Sequence, residues 1–199
     1  MKYRRLTQPY FMPQALRPRE ERIRQIARAF IDRMAELGGH CDFARDIAFL
    51  YPLHVIMEVL GVPEADEPRM LKLTQELFGS ADPDLNRGSS ETMDVDAGLA
   101  AMQAVVGDFI SYFTAITEDR RAHPRDDIAS VIANGKLDGA PLGYLEAMSY
   151  YIIVATAGHD TTSNTTAGGM WALAERPDQF AKLKADPSLA PAFLEESIR

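Results

Sequence analysis

Between Ala147 and Ala174 the sequence carries a single formal charge, Asp160. Helix-compatible residues continue upstream to Pro141, and Pro177 sets the downstream limit, so the spacing predicts one helix over 141–174. At about 1.5 Å rise per residue, its roughly 34 residues would extend about 50 Å. A compact chain of this length has a radius of gyration near 16 Å, about 40 Å across, so such a helix would overrun its own globule. Its uncharged circumference further predicts burial on most sides, which calls for surrounding protein beyond what 199 residues supply.

The remaining sequence is also helical in pattern, with almost no strand-like alternation, and predicts a mainly α fold. A helix over 18–37 is opened by Pro18, carries Ile23, Ile26, Phe30 and Met34 on one face, and stops at Gly38-Gly39. Further helices are predicted over 43–60, closed by Gly61 and Pro63, over 64–78, over 99–121 and over 126–133, followed by a turn at 135–139 and helices over 177–184 and at the end. Each has one apolar stripe, so they should pack as a bundle in one incomplete domain over 1–199. Residues 79–98 are polar and acidic, a loop long enough to imply a mobile lid or connector. Asp82-x-Asp84-x-Asn86 within it is spaced like the start of a calcium loop, but Arg87 and Met93 stand where the turn glycine and the bidentate glutamate belong. It is read as a solvated loop.

Charge and composition narrow the class. With 46 % apolar residues and a net charge of −8, the chain suits a folded core and does not suit disorder. Residues 1–28 hold eight basic and two acidic side chains, but Arg19 to Arg28 reads as a helix with Glu20 and Glu21 in its first turn and no interleaving of aromatic and basic residues follows it, so nucleic acid is not expected as a partner. The start lacks a secretory signal, and the longest wholly apolar run, 150–155, is too short to span a bilayer, so a cytoplasmic protein without membrane attachment is expected. One cysteine, Cys41, excludes an intrachain disulfide and a zinc site of paired cysteines.

The lone carboxylate of the uncharged run sits in Ala157-Gly158-His159-Asp160-Thr161-Thr162. Burying it unpaired would cost on the order of several kcal/mol. Gly158 permits close approach to the backbone, and the Thr161 hydroxyl can turn back onto the carbonyl of Ala157 and loosen the helix. Together these residues could deliver a proton to a bound ligand. A helix-packing glycine beside a solvent-reaching aspartate is the competing reading of the same residues.

Ala157, Gly158, Asp160, Thr161 and Thr162 match, position for position, the central-helix pattern of the cytochrome P-450 superfamily, the heme-thiolate monooxygenases. The sequence resembles that family in two further places. Near its end stand Glu196 and Arg199, the family's Glu-x-x-Arg structural ion pair, on one helix face at i and i+3. Near its start, Arg4, followed by Phe11-Met12-Pro13, is similar to the family's heme-propionate arginine before a Phe-x-Pro turn.

The resemblance implies the central helical part of the cytochrome P-450 fold, without the early β region and the C-terminal heme-ligand loop. It implies an oxidoreductase that hydroxylates an organic substrate with dioxygen and two electrons. Heme would lie against Ala157, Gly158 and Thr161 with Arg4 at its carboxylates. Asp160 and Thr161 would be catalytic, gating protons and hydrogen-bonding the oxygen being activated, and Ile153 and Val154 would border the substrate. Within that family, the charge pattern and the lack of a membrane anchor suggest a soluble bacterial type with a ferredoxin-type electron donor, and the acidity of 79–98 favours a small, apolar or neutral organic substrate over an anion. The 79–98 stretch falls where the family has its substrate lid.

The axial cysteine is expected to lie outside this chain. Cys41, in Gly39-His40-Cys41-Asp42-Phe43, lacks the signature of the ligand loop, so no residue here is assigned to the metal and the 199 residues alone are expected to be inactive. A carboxylate-bridged di-iron bundle is excluded because no histidine has a glutamate three residues before it. His54 and Glu58, at i and i+4, are read as a helix hydrogen bond. The alternative to a monooxygenase is a non-enzymatic helical adaptor or ligand-binding module.

Overall fold

The computed structural model describes residues 3–79 and 95–199. A short α1 (Arg4–Thr7) and a 3-10 turn (Gln8–Phe11) lead into α2 (Pro13–Glu36). The long helix therefore starts earlier than predicted: Met12 is its extended cap, Pro13 occupies the first turn, and Pro18 lies inside. The expected stripe is present, with Ile26 buried and Ile23, Phe30 and Met34 half-buried.

The helix predicted over 43–60 is divided into a π-turn (Ala44–Ala48) and α3 (Leu50–Leu60). Pro52 provides the reason, since it offers no N–H to the carbonyl of Ala48. The Phe49 N–H instead reaches back five residues to Ala44 at 2.9 Å. Gly61, at φ 87°, ends α3 in the left-handed conformation that glycine adopts readily.

After a 3-10 turn (Glu64–Asp66) come α4 (Glu67–Phe78) and α5 (Val95–Ala122). Residues 95–98 are thus helical and not part of the loop expected over 79–98. Residues 80–94 of that loop, with Asp82-x-Asp84-x-Asn86, lie outside the described residues. By length and composition α5 could cross a membrane. Here its apolar side chains Val105, Phe109, Phe113 and Ile116 are buried in the core. A short α6 (Ile128–Asn134) and a two-residue antiparallel hairpin, Lys136–Leu137 against Ala140–Pro141, complete this part.

The predicted 141–174 helix is instead two helices, α7 (Tyr144–Ala157) and α8 (Asp160–Glu175). Next come α9 (Pro177–Ala185) and, after a 3-10 turn (Pro187–Leu189), α10 (Ala190–Ile198).

The core lies among α3, α4, α5, α6 and α7. Phe113 is its centre, stacked on Tyr151 at 4.8 Å and on Phe109 at 6.2 Å between ring centroids. Each such burial contributes about 1.5–3 kcal/mol. The Tyr151 hydroxyl donates to the Ala129 carbonyl at 2.8 Å, and burial pushes its pKa up to about 12. Among the described residues one ion pair is enclosed: Arg120 Nε meets Asp127 at 2.8 Å, while other guanidinium nitrogens donate to the Gly61 carbonyl and to Asp119. Asp127 also accepts the Ser130 N–H at 2.7 Å, capping α6. This hub fastens the ends of α3 and α5 to the start of α6. A side chain at Gly61 would collide with Asp127, since its Cβ would lie 2.3 Å from the carboxylate.

Candidate functional site

The break between α7 and α8 falls within the Ala157–Thr162 motif, and three local features produce it. First, hydroxyls return to the backbone: Thr156 donates to the Ile152 carbonyl at 2.8 Å, Thr161 to Ala157 at 3.1 Å and Ser163 to His159 at 2.9 Å. Such bonds compete with the helical ladder and bend it. Second, the His159 N–H bonds to Thr156 at 3.2 Å, a three-residue closure that tightens the last turn of α7. Third, His159 turns its ring inward and places Nε2 2.8 Å from the Phe49 carbonyl.

Gly158 has a different neighbour from the one the sequence suggests. A Cβ there would lie 2.8 Å from Cγ1 of Ile56. The missing side chain therefore makes room for α3.

Ile153, Ala157 and Thr161 follow one another at four-residue spacing and are all exposed, Ile153 by 58 %. They form an open stripe of one apolar, one small and one hydroxyl-bearing side chain along the broken helix. Val154 points the other way and is buried in the core. The structure thus separates the two residues expected to border substrate. Asp160 occupies the first turn of α8 and is only partly exposed. Its carboxyl group thus lies at a helix start within reach of water, and not inside the unbroken buried helix that the sequence suggests. Asn164 Nδ2 stands 3.5 Å from it, at the limit of a hydrogen bond.

At the N-terminal end, α1 is tied to α7. The Tyr3 hydroxyl donates to Glu146, Thr7 and Tyr150 share a hydrogen bond between their hydroxyls, and Tyr150 also donates to the Tyr3 carbonyl at 3.2 Å. Bonding to Tyr3 lowers the Glu146 pKa and raises that of the tyrosine. A cavity of about 370 Å³ opens there, lined by Tyr3, Leu145, Glu146, Ser149, Tyr150 and Ile153. The structure therefore joins the start of α1 to the open stripe through Ile153. Arg4 stands beside Tyr3 with an exposed side chain.

Glu196 and Arg199 form the expected ion pair at 2.9 Å, on the exposed side of α10. That helix rests on α8 at Gly169, where a Cβ would come within 2.8 Å of Ser197 Oγ and 3.1 Å of the Phe193 ring. His54 does not pair with Glu58. Its Nδ1 meets Glu67 of α4 at 2.9 Å, and Glu58 meets Arg22 of α2 at 3.7 Å. Cys41 is half-buried in the connection between α2 and the π-turn. Among the described residues no three His, Cys, Asp or Glu side chains gather into a metal site.

Two features lay outside the sequence expectations: the Arg120–Asp127 hub and the inward His159. An aspartate three residues before Ser130 is a helix-cap signal that was available, whereas the partner of His159 is a backbone carbonyl 110 residues away that no side-chain pattern reveals.

Residues 1–187 match the family described as Cytochrome P450. Cytochrome P450-terp of a Pseudomonas species is 44 % identical over 197 residues, a match covering 99 % of this chain and 46 % of that protein. The methyl-branched lipid omega-hydroxylase of Mycobacterium tuberculosis is 31 % identical over 192 residues, covering 95 % and 42 %. Among solved structures, CYP108D1 from Novosphingobium aromaticivorans superposes with a TM-score of 0.82 at 45 % identity, covering 99 % of this chain and 44 % of that one. Mycobacterium marinum CYP268A2, solved in complex with pseudoionone, gives a TM-score of 0.84 at 30 % identity over 94 % of this chain and 44 % of that one. The chain spans a little under half the length of these relatives.

Proposed function

The chain belongs to the cytochrome P450 family, and from that premise we propose that it is the central helical part of a longer heme-dependent monooxygenase that hydroxylates a small, apolar organic substrate. The observation that carries this reading is the open stripe Ile153–Ala157–Thr161 running past a helix break that presents Asp160. A flat apolar group fits such a stripe, because a methyl group and a short alcohol leave its face low. Heme would be held against Ala157, Thr161 and the backbone at Gly158, with the exposed Arg4 guanidinium suited to its carboxylates. When bound, heme supplies the iron at which dioxygen is activated by two electrons.

This chain's own residues do the rest. Asp160, between solvent and the stripe, takes up and releases a proton. The Thr161 hydroxyl has the Ala157 carbonyl as its resting acceptor at 3.1 Å, and turning it away from that carbonyl presents a donor to the stripe. Ile153 borders the substrate, while Val154 acts from within the core by packing. Glu196 and Arg199 serve as a structural pair. The segment following α4 is assigned as the substrate lid of the same single domain. Cys41 is not the thiolate ligand, which on this reading comes from outside these 199 residues, so the chain alone is inactive. A ferredoxin-type donor and a cytoplasmic location complete the proposal. The names of the relatives, a hydroxylase among them, support the reaction class.

Thr161→Ala in the longer enzyme tests the reading. Heme content and substrate affinity should stay as in the wild type while reducing equivalents are diverted to hydrogen peroxide. Product formation that remains fully coupled to electron consumption would refute the role of Thr161.

A further inference from the structure

The residue between the motif's glycine and its acid is the most buried part of the site. His159 is 1 % exposed, and its Nε2 lies 2.8 Å from the Phe49 carbonyl. A carbonyl can only accept, so Nε2 carries the hydrogen. In a neutral ring Nδ1 is then a bare acceptor, and it is buried with no partner among the described residues. A second proton would create a buried cation with an unbonded N–H. Burial accordingly lowers the His159 pKa, with the Phe49 carbonyl and the Asp160 carboxylate opposing the shift.

Phe49 is the pivot between the π-turn and α3. Further along α3, Ile56 occupies the space beside Gly158. Two consecutive motif residues are thus registered against one helix, and the next two are Asp160 and Thr161. The His159 carbonyl accepts both the N–H and the hydroxyl of Ser163, each at 2.9 Å, and so begins the ladder of α8.

We infer that His159 is a positioning residue for the proposed oxygenation: by donating Nε2–H to the Phe49 carbonyl it fixes where α8 begins, and thereby where Asp160 and Thr161 stand on the open stripe. It touches neither substrate nor cofactor. This inference rests on the monooxygenase reading for its catalytic consequence, and on the hydrogen bond alone for its structural part.

The test uses the full-length enzyme with His159→Leu, which fills the site without a donor, and His159→Gln, whose amide N–H reaches the same carbonyl. In His159→Leu, product formed per electron consumed should fall about tenfold, while substrate affinity stays within about twofold, the pattern of misplaced reacting groups. Hydrogen exchange across residues 156–163 should quicken, and His159→Gln should recover most of both losses. Equal losses in the two variants, or unchanged coupling in His159→Leu, would overturn the inference. The wild-type protein gives a readout that does not depend on any variant folding: the imidazole ¹⁵N spectrum should show Nε2 protonated and Nδ1 bare at neutral pH. The opposite tautomer would overturn it. If the wild type oxygenates nothing, the monooxygenase reading fails, and the tautomer and exchange results still decide whether the bond sets the junction.

Discussion

The core of α3 to α7 and the limb of α8 to α10 are both rich in apolar side chains, but they differ in how many they bury. Leu53, Met57, Phe109, Phe113 and Tyr151 are 2 % exposed or less. In the limb, α9 and α10 contain no buried residue, and Trp171, Leu194 and Ile198 are 66 %, 56 % and 70 % exposed. The limb meets the rest mainly where α8 crosses the π-turn and α3. The contrast shows that an apolar stripe defines a helix's future partner without providing it. Since relatives are about twice as long, the remainder of the longer enzyme is the proposed cover for the limb and for the open stripe beside it.

Substitutions in the two regions should separate sharply. In chemical denaturation, Phe113→Ala is expected to cost about 3–5 kcal/mol, the range for deleting a fully buried aromatic side chain. Asp127→Ala should cost a comparable amount, about 3–5 kcal/mol, because it removes the buried carboxylate from Arg120, leaves only the half-exposed Asp119 opposite that cation, and uncaps α6. In the limb of the 199-residue chain, Trp171→Ala should change stability by no more than about 0.5 kcal/mol. The same substitution in the longer enzyme should cost several times more if protein covers the limb there. Equal small effects in both would break the comparison.

The junction between the regions should respond at an intermediate level. Gly158→Val forces a side chain against Ile56 and should cost about 1–3 kcal/mol. Gly169→Ala also meets close neighbours, but Ser197 and Phe193 belong to a lightly held helix that can shift, so about 1 kcal/mol or less is expected. Denaturation midpoints of the two variants decide the order.

The last expectation is a pH dependence. His159 has its folded pKa below the unfolded value of about 6.5, so below that pH the unfolded chain binds a proton first. The contribution is complete above the unfolded pKa and is lost as pH falls toward the folded one. His159→Gln should flatten that part of the stability–pH curve, and an unaltered curve would remove His159 as its source.

Much of this architecture was legible in residue spacing. Gly61 stops α3, Pro177 begins α9, and the Ile26 stripe of α2 is where periodicity places it. The motif residues and the Glu196–Arg199 pair were also visible. What remained hidden depended on distant partners. The uncharged run reads as one helix because nothing in its own composition breaks it; the break comes from several back-bonding hydroxyls acting with the Phe49 carbonyl and Ile56. Gly158 could be noticed as a small residue, yet whether a ligand or α3 uses its space is decided only by packing. Likewise His54 and Glu58 are correctly spaced on one helix face, but Glu67 of α4 offers the shorter contact.

On the proposed reading, the open stripe at Ala157 is the surface that heme covers. Ala157→Cys in the longer enzyme, alkylated with and without heme and read peptide by peptide, tests it most directly. The cysteine should be labelled readily in the heme-free protein and protected once heme is bound. Equal labelling in both states would contradict the claim.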